Sequence, residues 1–113
     1  MSDIVRIDPH AVLPPDPDHP GQRLIVPFHG SDPTLEAGIW AADESAHDIE
    51  FYPVDEVCVV LAGTITITTG GMVQEFGAGQ VFGVRRGASL HWHQSDGTRK
   101  VFVTLGPAER SSP

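Results

Sequence analysis

Two groups of residues in this 113-residue chain have the types and spacing to do chemistry. One is Glu50, Tyr52 and Glu56, two carboxylates that bracket the chain's only tyrosine. Paired carboxylates can divide acid and base roles when their surroundings push their pKa values apart, and a phenol beside them can donate a proton or orient a substrate. The other is His91-x-His93, two imidazoles able to share a metal when both point the same way. A strand sends neighbouring side chains to opposite faces, so parity decides which of these groups shares a cavity. Cys58 sits in the apolar run VCVVL and reads as an inert buried thiol; as the sole cysteine it excludes a disulfide framework and a multi-cysteine metal knuckle. His10, His19 and His29 fall among prolines with no motif spacing, and His47 lies at the opposite parity to Glu50. The sequence contains no G-x-S-x-G, no glycine-rich phosphate loop, no H-E-x-x-H and no C-x-x-C.

Charge narrows the partners. The formal net charge is -8, and the longest basic clusters are the pairs Arg85-Arg86 and Arg99-Lys100. Gripping phosphates takes clustered cations, so nucleic acid and anionic membrane are excluded as expected partners. No apolar run approaches ~18 residues, and the opening MSDIVRIDPH has no charged-then-apolar signal pattern, so a soluble cytoplasmic protein is expected. The length suits one domain with its own core.

Twelve glycines and ten prolines punctuate the chain often enough to predict many short elements rather than long helices. Seven of the ten prolines lie in residues 1–34, which predicts a proline-rich arm lying over the domain or against a partner subunit, with extended pieces at 4–7 and 23–28. From residue 35, strands are predicted at 35–41, 46–52, 56–61, 64–69, 72–76, 80–84, 89–94 and 99–105. The segment TITITT is β-branched at every position, and Gly70-Gly71 after it supplies the positive φ of a tight hairpin. Strands at this spacing with turn residues between them predict an all-β sandwich or barrel over 35–107, followed by a polar tail at 108–113.

The central stretch resembles the cupin superfamily, in particular small cupins similar to the C-terminal half of ureidoglycine aminohydrolases. Gly38-Ile39-Trp40 resembles that group's G-x-W strand. The run from Glu50 to Gly63 resembles E-x-Y-P-x-D-E-x-x-x-x-L-x-G. Phe76 to Phe82 resembles the F-G-x-G-D-x-F turn, and Gly87 to Trp92 with Arg99-Lys100 resembles the closing G-x(4)-W…R-K segment. The resemblance implies a jelly-roll barrel of antiparallel strands whose mouth holds a metal or small-molecule site. Aligned to the general cupin motifs, this chain keeps Glu56 and departs at the two first-motif histidine positions, Glu50 and Tyr52, and at Leu90 in the second motif.

In that register Glu50, Tyr52, Glu56, Cys58, Leu90, Trp92 and Gln94 face one interior, whereas His91 and His93 face outward unless a bulge shifts them. Two carboxylates inside a barrel must be satisfied by a cation, a buried arginine such as Arg85, a shared proton or a ligand's amine. The resulting expectation is a small-molecule-binding cupin with a degenerate metal site. Glu50, Tyr52 and Glu56 are its candidate catalytic residues, and Trp40, Arg85, Trp92 and Gln94 its ligand contacts. A cofactor is not required; Mn2+ or another divalent metal at Glu50 and Glu56 is the metal alternative, with His91 and His93 contributing only in a shifted register. A divalent-metal-dependent aminohydrolase and a non-catalytic binding module are the other readings, and a homodimer is the expected assembly.

Overall fold

The computed structural model describes residues 3–107, and these contain nine strands and no helix. In chain order they are β1 (Gln22–His29), β2 (Leu35–Ala42), β3 (Ser45–Ile49), β4 (Asp55–Ala62), β5 (Thr64–Thr69), β6 (Met72–Gly77), β7 (Val81–Val84), β8 (Leu90–Gln94) and β9 (Thr98–Leu105). A five-stranded sheet in the order β1-β2-β9-β4-β7 packs against a four-stranded sheet in the order β3-β8-β5-β6, and every pairing is antiparallel. This is a jelly-roll architecture. The polar tail at 108–113 lies outside the described residues.

The chain changes sheets at Gly63, whose φ of 75° is open to glycine and whose missing side chain leaves room for Thr98. Gly70 and Gly71 close the β5–β6 hairpin at φ 58° and 79°, the positive values a two-residue turn needs. The main core lies between the sheets: Cys58 and Val60 from β4 meet Ile65, Ile67, Leu90 and Trp92 from the opposing sheet. These residues alternate along their strands with exposed or half-buried ones, the period that one buried face imposes.

The proline-rich segment has two structural halves. Its second half is β1, an edge strand whose pairing slips between Ile25 and Phe28, where Pro27 falls; a bulge on an edge is where a missing amide is tolerated. Its first half forms no strand at 4–7. Instead Ile7, Ala11 and Leu13 cover Ile39 and Ala41 on the outer face of the large sheet, where no edge amides are available to pair. The Arg99 guanidinium donates to the carbonyls of Pro9 and Ala11 at 2.9 and 3.1 Å, so the arm packs on its own barrel.

Two strand boundaries matter for the site. β3 ends at Ile49 and the chain bends at Glu50 and Phe51, short of the predicted end at 52. After the bend Tyr52 is pinned by backbone: its amide donates to Ala88 at 2.9 Å, and its carbonyl accepts from Gly87 at 2.8 Å. β9 is the middle strand of the large sheet. It turns Thr98, Lys100, Phe102 and Thr104 inward and Arg99, Val101, Val103 and Leu105 outward.

Candidate functional site

The inner face of the large sheet carries its polar residues in register. Thr104 of β9 pairs with Glu36 of β2 on one side and Glu56 of β4 on the other. Four residues earlier on β9, Lys100 pairs with Trp40 and Val60. Trp92 on β8 and Tyr52 after the bend approach from across the barrel. All of these except Val60, which lies in the core, line a cavity of about 410 Å³, with apolar walls from Leu24, Val26, Val54 and Phe102.

At its centre is a buried ion pair. The Lys100 side chain leans along the sheet so that Nζ donates to Glu56 Oε2 at 2.8 Å, with the two side chains 6% and 9% exposed. The ammonium lies over the rings of Trp40 and Trp92, 4.7 and 4.6 Å from their centroids. Cation–π attraction and the carboxylate thus act on the same charge. Tyr52 Oη donates to the other carboxylate oxygen, Oε1, at 2.6 Å, and its ring stacks on Trp92. Cys58 Sγ donates to Oε2 at 3.3 Å and accepts from Lys100 at 3.5 Å. The tryptophans are fixed in turn: Trp40 Nε1 donates to Gln22 at 2.9 Å, Trp92 Nε1 donates to Gln94 at 2.7 Å, and Gln94 Nε2 donates to the Asp43 carbonyl at 2.9 Å.

Electrostatics settles the protonation of this cluster. Burial pushes the Glu56 carboxyl up, but the Lys100 charge and the hydrogen bonds from Lys100, Tyr52 and Cys58 outweigh it, leaving Glu56 below its ordinary value and ionised. Burial, then the Glu56 charge, raises the Tyr52 phenol far above its ordinary range, so it keeps its proton. Burial first, and Glu56 with it, pushes the Cys58 thiol up to about 12 against the pull of Lys100. A carboxylate held ionised is a weak base and a phenol held neutral is a weak acid, so the cluster is suited to binding and orienting rather than to moving protons. Cys58 should therefore be unreactive. Native protein at pH 8 should take up no iodoacetamide at this position over hours, whereas urea-unfolded protein should be labelled fully; rapid labelling of the native protein would contradict this placement.

The structure gathers Tyr52, Glu56, Trp40 and Trp92 around the cavity and separates the other candidates from it. Glu50 is exposed, a correction to its inward register. The bend after β3 breaks the alternation, so that His47 and Ile49 face the cavity before the bend and Tyr52 and Val54 after it. Arg85 is also exposed, on the outer side of the barrel beyond β7, and does not reach the carboxylates; Lys100 fills the role considered for it. Gln94 is buried behind Trp92 and orients that ring instead of lining the cavity. Leu90 lies in the core. On the outer face, His91 pairs with Asp48 at 2.7 Å and His93 with Glu44 at 2.8 Å. Sequence reasoning missed Lys100, Glu36 and Thr104, and set His47 aside on parity. The inward run Thr98, Lys100, Phe102 and Thr104 carries the signal for the first and third through Phe102.

The donor set does not fit a divalent metal. Glu56 already has an ammonium on one oxygen and a phenol on the other, Tyr52 and Cys58 keep their protons, and Lys100 has no lone pair to give while charged. Among the described residues no three His, Cys, Asp or Glu side chains group to hold a metal ion.

Two antiparallel sheets wrapped around an inward-facing site on the β4, β8 and β9 strands define the class: this is a cupin. Within it, the chain belongs to the EutQ-like cupin domains, a family it matches over residues 30–102. The fold is shared with EutQ from Clostridium difficile at a TM-score of 0.64 and 22% identity, covering 75% of this chain and 68% of that one. A protein of unknown function from Rhizobium leguminosarum superposes with a TM-score of 0.66 at 21% identity, covering 80% of this chain and 88% of that one. A Pseudomonas syringae protein of unknown function from the DUF861 family gives 0.69 at 23% identity; 93% of this chain is covered but 42% of that one, so the chain spans less than half of that protein. No curated protein matches the chain in sequence. Among the described residues no helix is long and apolar enough to cross a membrane.

Proposed function

We propose that this protein binds a small, partly apolar molecule in the barrel, with the Lys100–Glu56–Tyr52 cluster fixing the polar side of the cavity. The observation that carries this is the buried ion pair set between two tryptophans on the wall of a ligand-sized cavity. Such a pair is rarely a net source of stability, because desolvation offsets most of its attraction; a cavity with a few fixed polar groups and apolar walls is what a small-molecule site needs. Catalysis by Glu56 as base and Tyr52 as proton donor is supported less well, since each is in the form its role needs but is shifted in the direction that makes it weak in that role. A metal-dependent aminohydrolase similar to the ureidoglycine enzymes would need ligands where this chain has Tyr52, an ion-paired Glu56 and Leu90.

The chain's only two tryptophans both line the cavity, so intrinsic fluorescence reports its occupancy directly. Titration with benzyl alcohol, benzylammonium and benzoate should give saturable quenching by at least one of them, with a dissociation constant near about 1 mM for ligands of this size. Val26→Phe, which fills the apolar wall, should abolish it. If none of the three saturates, the binding reading falls.

A further inference from the structure

Resting on that cavity reading, we propose that its ligand is an uncharged molecule with an apolar body and a hydroxyl or carbonyl group, and that the Thr104 hydroxyl is the anchor that bonds to this group. Thr104 supplies the first observation. Among the described residues its Oγ1 is the one buried side-chain nitrogen or oxygen without a hydrogen-bond partner, and the residue lines the cavity. Thr98, on the same inward face of β9, shows the ordinary state: its hydroxyl donates to the Ser95 carbonyl at 2.7 Å. Buried hydroxyls are nearly always satisfied, because leaving one unpaired forfeits its hydration with nothing in return. With no bond to hold it, the Thr104 hydroxyl is free to turn between staggered positions about χ1 and meet a ligand.

The second observation is that the other buried polar groups of the wall are committed within the protein. Glu56 accepts on one oxygen from Tyr52 and on the other from Lys100 and Cys58. The Tyr52 proton is spent on that bond, and the Trp92 indole N–H on Gln94. Thr104 lies beside Glu56 in the sheet, so the open hydrogen bond is next to the saturated cluster.

The third is charge. Lys100 and Glu56 neutralise each other, so a carboxylate or an ammonium entering the cavity gives up its hydration and finds its natural partner already paired. Glu36 is engaged as well, by His29 at 3.5 Å among others, so no ligand group falls to it. A hydroxyl or carbonyl has far less hydration to lose, and one hydrogen bond with Thr104 replaces it. The apolar walls at Leu24, Val26, Val54 and Phe102 then take the body of the ligand.

The same three probes test this at pH 8, above the ordinary imidazole range, so that protonation of His19, His29 and His47 does not enter the balance. Wild-type protein should bind benzyl alcohol about tenfold or more tightly than benzylammonium or benzoate. Thr104→Val keeps the branched shape and removes the hydroxyl. It should weaken benzyl alcohol severalfold and leave toluene, which has no group to bond, unchanged. The hydroxyl it removes is unsatisfied in the free protein, so the melting temperature of the variant without ligand should equal or exceed that of wild type. Benzylammonium or benzoate binding as tightly as benzyl alcohol overturns the uncharged ligand. Benzyl alcohol affinity that survives Thr104→Val, or a lower melting temperature with benzyl alcohol and toluene weakened alike, overturns the anchor. The cavity reading stands in each of these cases. Failure of all three probes to bind wild-type protein removes both.

Discussion

Lys100→Met should destabilise the fold by about 3–5 kcal/mol, the range for removing one partner of a buried ion pair. At roughly 4–5 °C per kcal/mol for a domain of this size, the melting temperature should drop by about 12–25 °C. The loss is not the strength of the Lys100–Glu56 attraction. It is the cost of leaving the Glu56 carboxylate buried with Tyr52 and Cys58 as its remaining donors. Methionine roughly matches the lysine stem in length and packs well against Trp40 and Trp92, so a lost-packing explanation is controlled by the choice of residue. The double variant Lys100→Met/Glu56→Gln separates charge from shape. The introduced amide would still accept from the Tyr52 hydroxyl and would no longer need a counter-ion, so most of the lost stability should return. Urea unfolding of the four proteins in this cycle measures the coupling directly. A single variant as stable as wild type would mean that the pair is solvated.

The same double variant bears on ligand binding. Removing one charge of each sign leaves the net charge of the cavity as it was, so a ligand held by the apolar walls should still bind. If the polar end of the ligand were instead held by Lys100, as an anionic ligand would be, binding would vanish with the pair.

How far the sequence reveals this arrangement depends on the local chemistry of each strand. The hairpin at Gly70-Gly71 and the strand before it follow from residue types alone, because β-branching and positive φ are local constraints. Parity along β8 places Trp92 and Gln94 inward and His91 and His93 outward, because no bulge interrupts its pairing with β3 or β5. The same parity fails across residues 49–52. It is a property of a continuous strand, and the bend that exposes Glu50 is fixed by backbone bonds from Tyr52 to the distant 87–88 turn. Lys100 is hidden for another reason. On β9 the valines and leucine at 101, 103 and 105 suggest that the odd face is the buried one, and by that rule Lys100 points to solvent. The rule assumes one buried face. β9 is the central strand, and near Val101 its outer face is covered by the arm at Ile7, Ala11 and Leu13, so apolar residues occur at both parities. Phe102, apolar at the even parity between Lys100 and Thr104, is the residue that betrays the second buried face. The cross-strand row of Glu36, Thr104 and Glu56 joins positions far apart in sequence and depends on sheet order, which no local pattern specifies.

Acid should dismantle the site with a sign that can be worked out. The folded-state pKa of Glu56 lies below its ordinary 4.5, since Lys100 and the three hydrogen bonds outweigh the upward push of burial. A group depressed in the folded state contributes stability that is fully present above the unfolded value and is lost as the pH falls through the folded one. Wild-type protein should therefore hold its stability from neutral pH down to about 5, then lose it steeply below 4.5 as protonated Glu56 leaves the Lys100 ammonium without its counter-ion. Other groups share the acid limb. Asp16 is lowered first by the backbone amide of Asp18 and Asp32 by that of Thr34. Lys100→Met/Glu56→Gln retains those two aspartates and removes the pair, so the difference in urea midpoint between it and wild type isolates Glu56. That difference should be constant between about pH 8 and 5 and move in favour of the double variant below 4.5. A difference independent of pH would mean that Glu56 titrates alike in the folded and unfolded chains. The ammonium, the carboxylate and the two indoles would then not be the single electrostatic unit that the geometry describes.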